Sequence, residues 1–86
     1  MTVRIATTIV GERTVLQIAG RLQSCDVPEL DRVIRLIVGR FVLDLSELVS
    51  ADKAALKRLR ECASSGVALQ GVSHYVQLLL DDKEST

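Results

Sequence analysis

The chain has 86 residues, of which 48% are hydrophobic, and its eleven basic and eleven acidic side chains leave no net charge. This length suits one domain spanning residues 1–86, and the hydrophobic content argues against a disordered chain. Aromatic side chains make up only 2% of the residues. The chain therefore lacks both the positive field and the stacking side chains of nucleic-acid-binding proteins, and we expect no nucleic-acid partner.

The sequence also lacks the usual signals for export or membrane insertion. The N-terminal stretch MTVRIATTIV does not have the basic, apolar and small-residue regions of a secretion signal. The apolar runs are far shorter than the ~18 residues of a membrane-spanning helix. We expect a cytoplasmic protein without membrane insertion, in which Cys25 and Cys62 are small buried hydrophobes.

The N-terminal residues predict an antiparallel hairpin. Alternate residues from Val3 to Ile9 place hydrophobic or β-branched side chains on one face, as in a strand. Gly11 and Glu12 then suit a type II′ turn, which takes glycine at its first central position. The return strand follows as RTVLQIAG.

The next segment, DVPELDRVIRLIVG, predicts the first helix. Asp26 is the expected N-cap, Glu29 completes a capping box three residues later, and Pro28 falls in the tolerant first turn. Gly39 is the expected stop. The predicted inward face consists of Val27, Leu30, Val33, Ile34 and Ile37.

The remaining residues predict alternating strands and helices. FVLDL has the apolar character of a strand buried on both faces, and GVALQGV is a second candidate strand. A helix at about residues 52–64 follows the first of these, and a short helix capped by Ser73 follows the other. Their predicted buried residues are Ala55, Leu56, Leu59, Cys62 and Ala63 in one helix, and Val76, Leu79 and Leu80 in the other. Residues 81–86 are predicted to form an acidic, frayed tail.

The order β-β-α-β-α-β-α predicts an α/β fold. The simplest arrangement is a four-stranded mixed sheet, formed by the hairpin and a parallel βαβαβ unit, with helices packed against it. The strand-to-helix loops RLQSCD and DLSELVSAD should then meet at the carboxyl ends of the parallel strands, where ligands and partners usually bind.

The residues of these loops favour a structural over a catalytic interpretation. His74 has no acidic neighbour in sequence, the serines lack a nucleophile-elbow pattern, and no cluster of metal ligands or phosphate-binding loop is present. Asp44 is expected to accept backbone N–H bonds in its loop, and Asp52 to cap the second helix, worth about 1 kcal/mol. We therefore expect no enzyme, metal or cofactor.

The predicted second helix carries a basic stripe. Lys53, Lys57 and Arg60 follow helical spacing, with Arg58 beside them. Such a stripe is either a solvated face or a docking surface for an acidic partner.

Three stretches of the chain resemble the STAS family, the domain of anti-sigma factor antagonists and sulfate transporter tails. AGRLQSCDVPELDRVI is similar to the family's G-x-L-D…AP-x-L stretch, and FVLDLSELVSAD to its VVLDLSGVTFIDSSG segment. GVALQGVSHYVQLLL is similar to the closing LxLVGVSPxVxxLL. The order of these stretches, and the eight residues from Asp44 to Asp52, also match.

The resemblance implies a non-enzymatic bacterial signalling module that takes part in transcription regulation. In the antagonists, a Ser or Thr two positions after the loop's final Asp is phosphorylated by a serine kinase that is also the anti-sigma factor. Asp52 matches that Asp, and Ala54 matches the phosphoacceptor, so phosphorylation is not expected there. Ser50 is a weak alternative acceptor, and Gln23 stands where the family has Asp.

By this resemblance, the surface that binds the anti-sigma factor comprises Ser50, Ala51, Asp52, Lys53, Ala54 and Lys57. Asp44 and Gln23 would shape the loops around it. Two other functions stay open: a small STAS subunit of a bacterial lipid-transport ABC complex, bound to its ATPase, or a sensor of a nucleotide or small ligand. A homodimer is also left open.

Overall fold

A computed structural model describes residues 3–37 and 39–81. These residues form an α/β fold with a mixed sheet of five strands and three α-helices. In chain order the elements are β1 (Val3–Val10), β2 (Arg13–Leu22), a 3-10 turn (Ser24–Asp26), α1 (Val27–Leu36), β3 (Phe41–Asp44), β4 (Leu48–Ala51), α2 (Lys53–Ser64), β5 (Ala68–Gln70) and α3 (His74–Asp81). Asp81 ends α3, and the rest of the predicted tail, 82–86, lies outside the described residues.

The predicted hairpin is confirmed. β1 and β2 pair in antiparallel fashion from Val3–Gly20 to Val10–Arg13, which leaves a two-residue connection. Gly11 has φ +66°, as the first central residue of a primed turn requires.

The sheet has five strands, and the prediction of four is wrong. β3 pairs in parallel with Thr14–Gln17 of β2, and β4 pairs in parallel with the later part of the same strand, Gly20–Leu22. The segment after Asp44, predicted as a loop, therefore returns to the sheet. Burial of Leu48, which is only 3% exposed, holds it there together with the Gly20 N–H, which donates to the Glu47 carbonyl over 3.0 Å.

The predicted interior strand is confirmed, since β3 lies between β2 and β5 and is parallel to both. The crossovers through α1 and α2 step in the same direction across the sheet, so right-handed connections place both helices on one face. One core cluster joins the strands to all three helices. Its members are Leu16, Ile18, Leu22, Leu30, Leu43, Leu45, Leu48, Ala55, Leu56, Leu59, Cys62, Val76 and Leu80.

The predicted inward faces of α2 and α3 are correct with one exception. Ala63 is exposed, whereas the other four predicted residues of α2 are buried. In α3, Val76 and Leu80 are buried and Leu79 is half-buried. The Ser73 hydroxyl accepts from the Val76 N–H over 3.2 Å, which confirms the predicted cap.

The two cysteines have different environments. Cys62 is buried in α2, and that burial raises the pKa of its thiol. Cys25 is exposed, so the prediction of a buried side chain is wrong for this residue. It lies in the 3-10 turn that leads from the sheet into α1. This turn was not predicted from the sequence.

The predicted capping box of α1 is also wrong. The 3-10 turn places Asp26 in a helical conformation already (φ −95°, ψ −10°), so its carboxylate cannot reach forward as an N-cap does. That carboxylate instead accepts from the Gln23 N–H over 3.0 Å. Glu29 turns outward to Arg32. The helix ends at Leu36, before the expected stop at Gly39.

Candidate functional site

Three strand-to-helix connections lie at the carboxyl ends of the parallel strands. They follow β2, β4 and β5 and lead into α1, α2 and α3. The first two connections are joined directly, because the Asp52 N–H donates to the Leu22 carbonyl over 3.1 Å. The predicted meeting of RLQSCD and DLSELVSAD is therefore confirmed.

Asp52 is the centre of this junction. Its backbone is extended (φ −84°, ψ −178°), as an N-cap requires, and its Oδ1 accepts from the Ala55 N–H over 3.0 Å. Its Oδ2 accepts from the Ser24 N–H over 2.7 Å, across 28 positions of sequence. The bond from Ala55, assisted by the one from Ser24, lowers the pKa of Asp52 below its usual range. One carboxylate thus caps α2 and fixes the start of the other connection.

The six residues predicted to bind a partner lie together, and we call them the Asp52 corner: Ser50, Ala51, Asp52, Lys53, Ala54 and Lys57. Lys53, Ala54 and Lys57 are exposed in the first turns of α2. Ser50 and Ala51 are half-buried in β4, so they contribute less surface than the sequence suggested. Asp52 is exposed as well, but both of its carboxylate oxygens accept bonds from within the chain.

Asp44 has the loop-stabilising role that the sequence predicted. Its Oδ1 accepts from the Ser46 N–H over 3.0 Å. Gly71 packs against this turn so closely that a Cβ at position 71 would lie 2.9 Å from the same Oδ1 and 2.8 Å from the Ser46 Cβ. Asp44 is half-buried by these contacts, whereas Ser46 and Gly71 stay exposed.

Gln23 shapes the other connection through its backbone. Its carbonyl accepts from the Asp26 N–H over 2.8 Å, and its own N–H donates to the Asp26 carboxylate. Its side chain is exposed beside the Asp52 corner. The two bonds hold the turn that carries Ser24 towards Asp52.

The predicted basic stripe is wrong for two of its four members. Arg58 donates to the Asp31 carboxylate at 2.6 Å, which ties α2 to α1 and raises the pKa of the guanidinium. Arg60 donates to the Leu79 and Leu80 carbonyls at the end of α3, over 3.0 and 2.9 Å. These two arginines hold the helices together. Of the four basic residues of this helix, only Lys53 and Lys57 therefore give the Asp52 corner positive charge.

Two exposed apolar residues border the corner and were missed from the sequence. Val49 is 59% exposed on β4, and Tyr75 is 57% exposed in the first turn of α3. Both line a shallow hollow of about 440 Å³, together with Arg21, Leu22, Gln23, Ser50, Ala51 and Asp52. The position of Val49 directly after Leu48 becomes informative only once that segment is known to be a strand, because neighbouring side chains then point to opposite faces.

The larger hollows lie at the opposite end of the sheet. They measure about 640 and 710 Å³ and share Arg13, Gly39 and Arg40 as lining residues. None of the residues of the Asp52 corner lines them. They are therefore separate from the Asp52 corner.

No three His, Cys, Asp or Glu side chains within residues 3–37 and 39–81 are placed to hold a metal ion together. None of the helices in the described part of the chain is long and apolar enough to cross a membrane. Comparison with protein-family models finds no match, and comparison with curated proteins finds no relative.

Proposed function

We propose that this chain is a non-enzymatic, STAS-type protein-binding module that acts as an anti-sigma factor antagonist in a partner-switching pathway. Its partner docks on the Asp52 corner and on the neighbouring Val49 and Tyr75. The observation that carries the proposal is the double acceptance by Asp52, from Ala55 and from Ser24, which fixes the exposed start of α2 against a second loop. A surface fixed in this way is ready for binding without reordering.

The charges of the corner support a docking role. Lys53 is the first residue of α2, where a cation opposes the helix dipole by about 0.3–1 kcal/mol. The Asp52 cap before it offsets part of this cost, and no acidic residue lies within the first turn itself. A residue that weakens its own helix while exposed is more easily explained by a partner than by folding. With Lys57 four positions later, it favours an acidic partner surface.

The apolar side chains complete the proposed interface. Ala54 presents only a methyl group between the two lysines, so a partner backbone can approach the helix closely. Val49 and Tyr75 supply the desolvated anchor that interfaces usually need at their centre. Because Ala54 has no hydroxyl, binding at this helix would not be ended by phosphorylation there.

A differential capture experiment tests the docking surface. Wild type, Ala54→Glu and Arg35→Glu are used as baits in extract of the source cells. Ala54→Glu puts a carboxylate near the helix N-terminus, where the dipole tolerates it, so the fold survives and circular dichroism is unchanged. The partner should be captured by wild type and by Arg35→Glu, which is exposed on α1, but not by Ala54→Glu.

Calorimetry on the captured protein then gives the size of the effect. Ala54→Glu should weaken the affinity by at least ~100-fold, because the new charge must be desolvated at the interface. Equal affinity for wild type and Ala54→Glu would show that the interface lies elsewhere. The identity of the captured protein, an anti-sigma kinase or an ABC ATPase, decides which STAS system the chain serves.

Phosphate transfer tests the proposed absence of a switch. Incubation with ATP and the anti-sigma serine kinase should leave α2 without phosphate, as measured by mass spectrometry of the intact chain and its peptides. Ser50 is half-buried in β4, so its hydroxyl is a poor substrate for a kinase. Stoichiometric phosphate on Ser50 would mean that the acceptor has moved along the chain and that binding is switchable.

A further inference from the structure

The outer edge of β1 is the most unusual surface of the sheet. β1 has eight residues and, within the described part of the chain, pairs only with β2. Its pairing runs from Val3 to Val10 without a bulge. The opposite edge strand, β5, has only three residues. Natural sheets usually protect their edges with short strands, proline, lysine or bulges. β5 follows that rule, whereas β1 has only one charge, Arg4, and no proline.

The exposed side chains of β1 also indicate a strand that is open to pairing. The five residues from Ala6 to Val10 are all exposed, and Ile9 and Val10 are 73% and 62% exposed. A β-branched strand with free backbone groups is suited to pairing with another strand. Because every copy of the chain has the same edge, pairing around a two-fold axis would satisfy both edges at once.

We propose that two copies of this chain pair in antiparallel fashion through β1, joining their sheets into one continuous sheet. The hairpin determines the geometry. A two-residue connection is closed by a hydrogen-bonded pair, here Val10 and Arg13, and bonded pairs alternate from there along the strands. The even-numbered residues of β1 therefore bond to β2, and the odd-numbered backbone groups from Val3 to Ile9 point outward.

This alternation determines how the two copies face each other. Hydrogen-bonded pairs across the new interface must join odd-numbered residues, which lie on the same face of the sheet in both copies. The two-fold axis is then perpendicular to the sheet, and both helix layers lie on one side. In the register that pairs the two strands along nearly their full length, Arg4 lies opposite the far half of the partner's strand, so the two arginines do not meet.

The dimer is expected to be weak and concentration-dependent, because strand pairing alone gives a small interface. Sedimentation velocity of the whole chain should show dimer at ~200 µM and monomer at ~1 µM, as for other interfaces below the standard size. The double variant Thr7→Lys, Ile9→Lys adds charges at the edge and should weaken association by at least ~30-fold. Val49→Lys, also at an exposed β-branched position but beside the Asp52 corner, is the control and should dimerise like wild type.

Hydrogen exchange gives a readout specific to this geometry. Raising the concentration should slow exchange at the amides of Ile5, Thr7 and Ile9, whereas Ala6 and Thr8, already bonded to β2, should change little. A chain that is monomeric at ~200 µM, or a dimer in which these odd-numbered amides stay unprotected, would overturn the proposal. Association that continues beyond the dimer would overturn it as well, because two-fold pairing leaves no unpaired β1 edge in the dimer.

Discussion

The two ends of the segment from Asp44 to Asp52 use the same chemical group in different ways. At the first end, the Asp44 carboxylate accepts from Ser46 two residues away, and Gly71 covers the turn with no space for a side chain. At the second end, the Asp52 carboxylate accepts from Ala55 in its own helix and from Ser24 in another connection. Of the side chains that follow Asp52, Lys53, Ala54 and Lys57 are exposed.

The difference shows why only one end of this segment is a candidate binding surface. At the Asp44 end the half-buried carboxylate is bonded within its own turn and Gly71 packs closely against it, so its contribution is to stability. The Asp52 end uses its carboxylate to fix two loops and leaves Lys53, Ala54 and Lys57 exposed. A carboxylate at the end of a strand is therefore not by itself evidence of a functional site. Its role depends on the groups that bond to it and pack against it.

The largest expected effect concerns the Asp44 end. Gly71→Ala should lower the free energy of unfolding by about 2–4 kcal/mol, since it combines a positive φ with a clash against the Ser46 and Asp44 side chains. Gly66→Ala is the control, with φ +101° but nothing within 4 Å of the added Cβ. It should cost only the backbone strain, about 1–2 kcal/mol. Urea denaturation monitored by circular dichroism measures both, and equal losses would show that Gly71 does not pack against Ser46 and Asp44 as described.

The second largest effect on stability is expected from removing the Asp52 carboxylate. Asp52→Ala should lower the free energy of unfolding by about 1–2 kcal/mol, because α2 loses its cap and the Ser24 N–H loses its acceptor. Asp44→Ala removes one local bond and should cost about 0.5–1 kcal/mol. The same denaturation experiment compares the two variants. A larger loss for Asp44→Ala would reverse the comparison between the two ends.

The smallest expected effect is on the pH dependence of stability. The pKa of Asp52 is lowered in the folded chain, so its charge stabilises the fold above the unfolded pKa of about 3.9. That stabilisation is lost as the pH falls through the lower, folded pKa. Asp52→Asn retains a capping side chain but does not titrate. The difference between the unfolding free energies of wild type and Asp52→Asn should therefore shrink from pH 6 to about pH 2.5. A constant difference would contradict the assigned role of the carboxylate.

Local signals in the sequence were enough for much of the fold. The glycine at the hairpin turn, the cap at Asp52, the cap at Ser73 and the alternation of strands and helices were all correctly interpreted. Each depends on residues no more than a few positions apart, so their physical causes are visible in a short window.

The errors concern contacts between distant parts of the chain. β4 forms only because Leu48 reaches the core and Gly20 lies beside it, which no local pattern in LSELVSA indicates. Arg58 was placed beside a basic stripe, either solvated or docking, although its partner Asp31 is 27 positions away. The bond from Ser24 to Asp52, which defines the candidate site, spans 28 positions. Such pairings depend on the folded arrangement and not on spacing.

The central claim, that a partner docks at the open end of this segment, is tested most directly by mapping the bound surface. The ¹⁵N-labelled chain is titrated with the protein captured by wild type and not by Ala54→Glu, and amide shifts are followed by NMR. We predict the largest shifts at Val49, at Ala51 to Lys57, at Tyr75 and at Ser24, which is bonded to Asp52. Gly39 and Gly66, at the other end of the sheet, should not shift. Shifts centred on Gly39 and Gly66, with the Asp52 corner unchanged, would contradict the account.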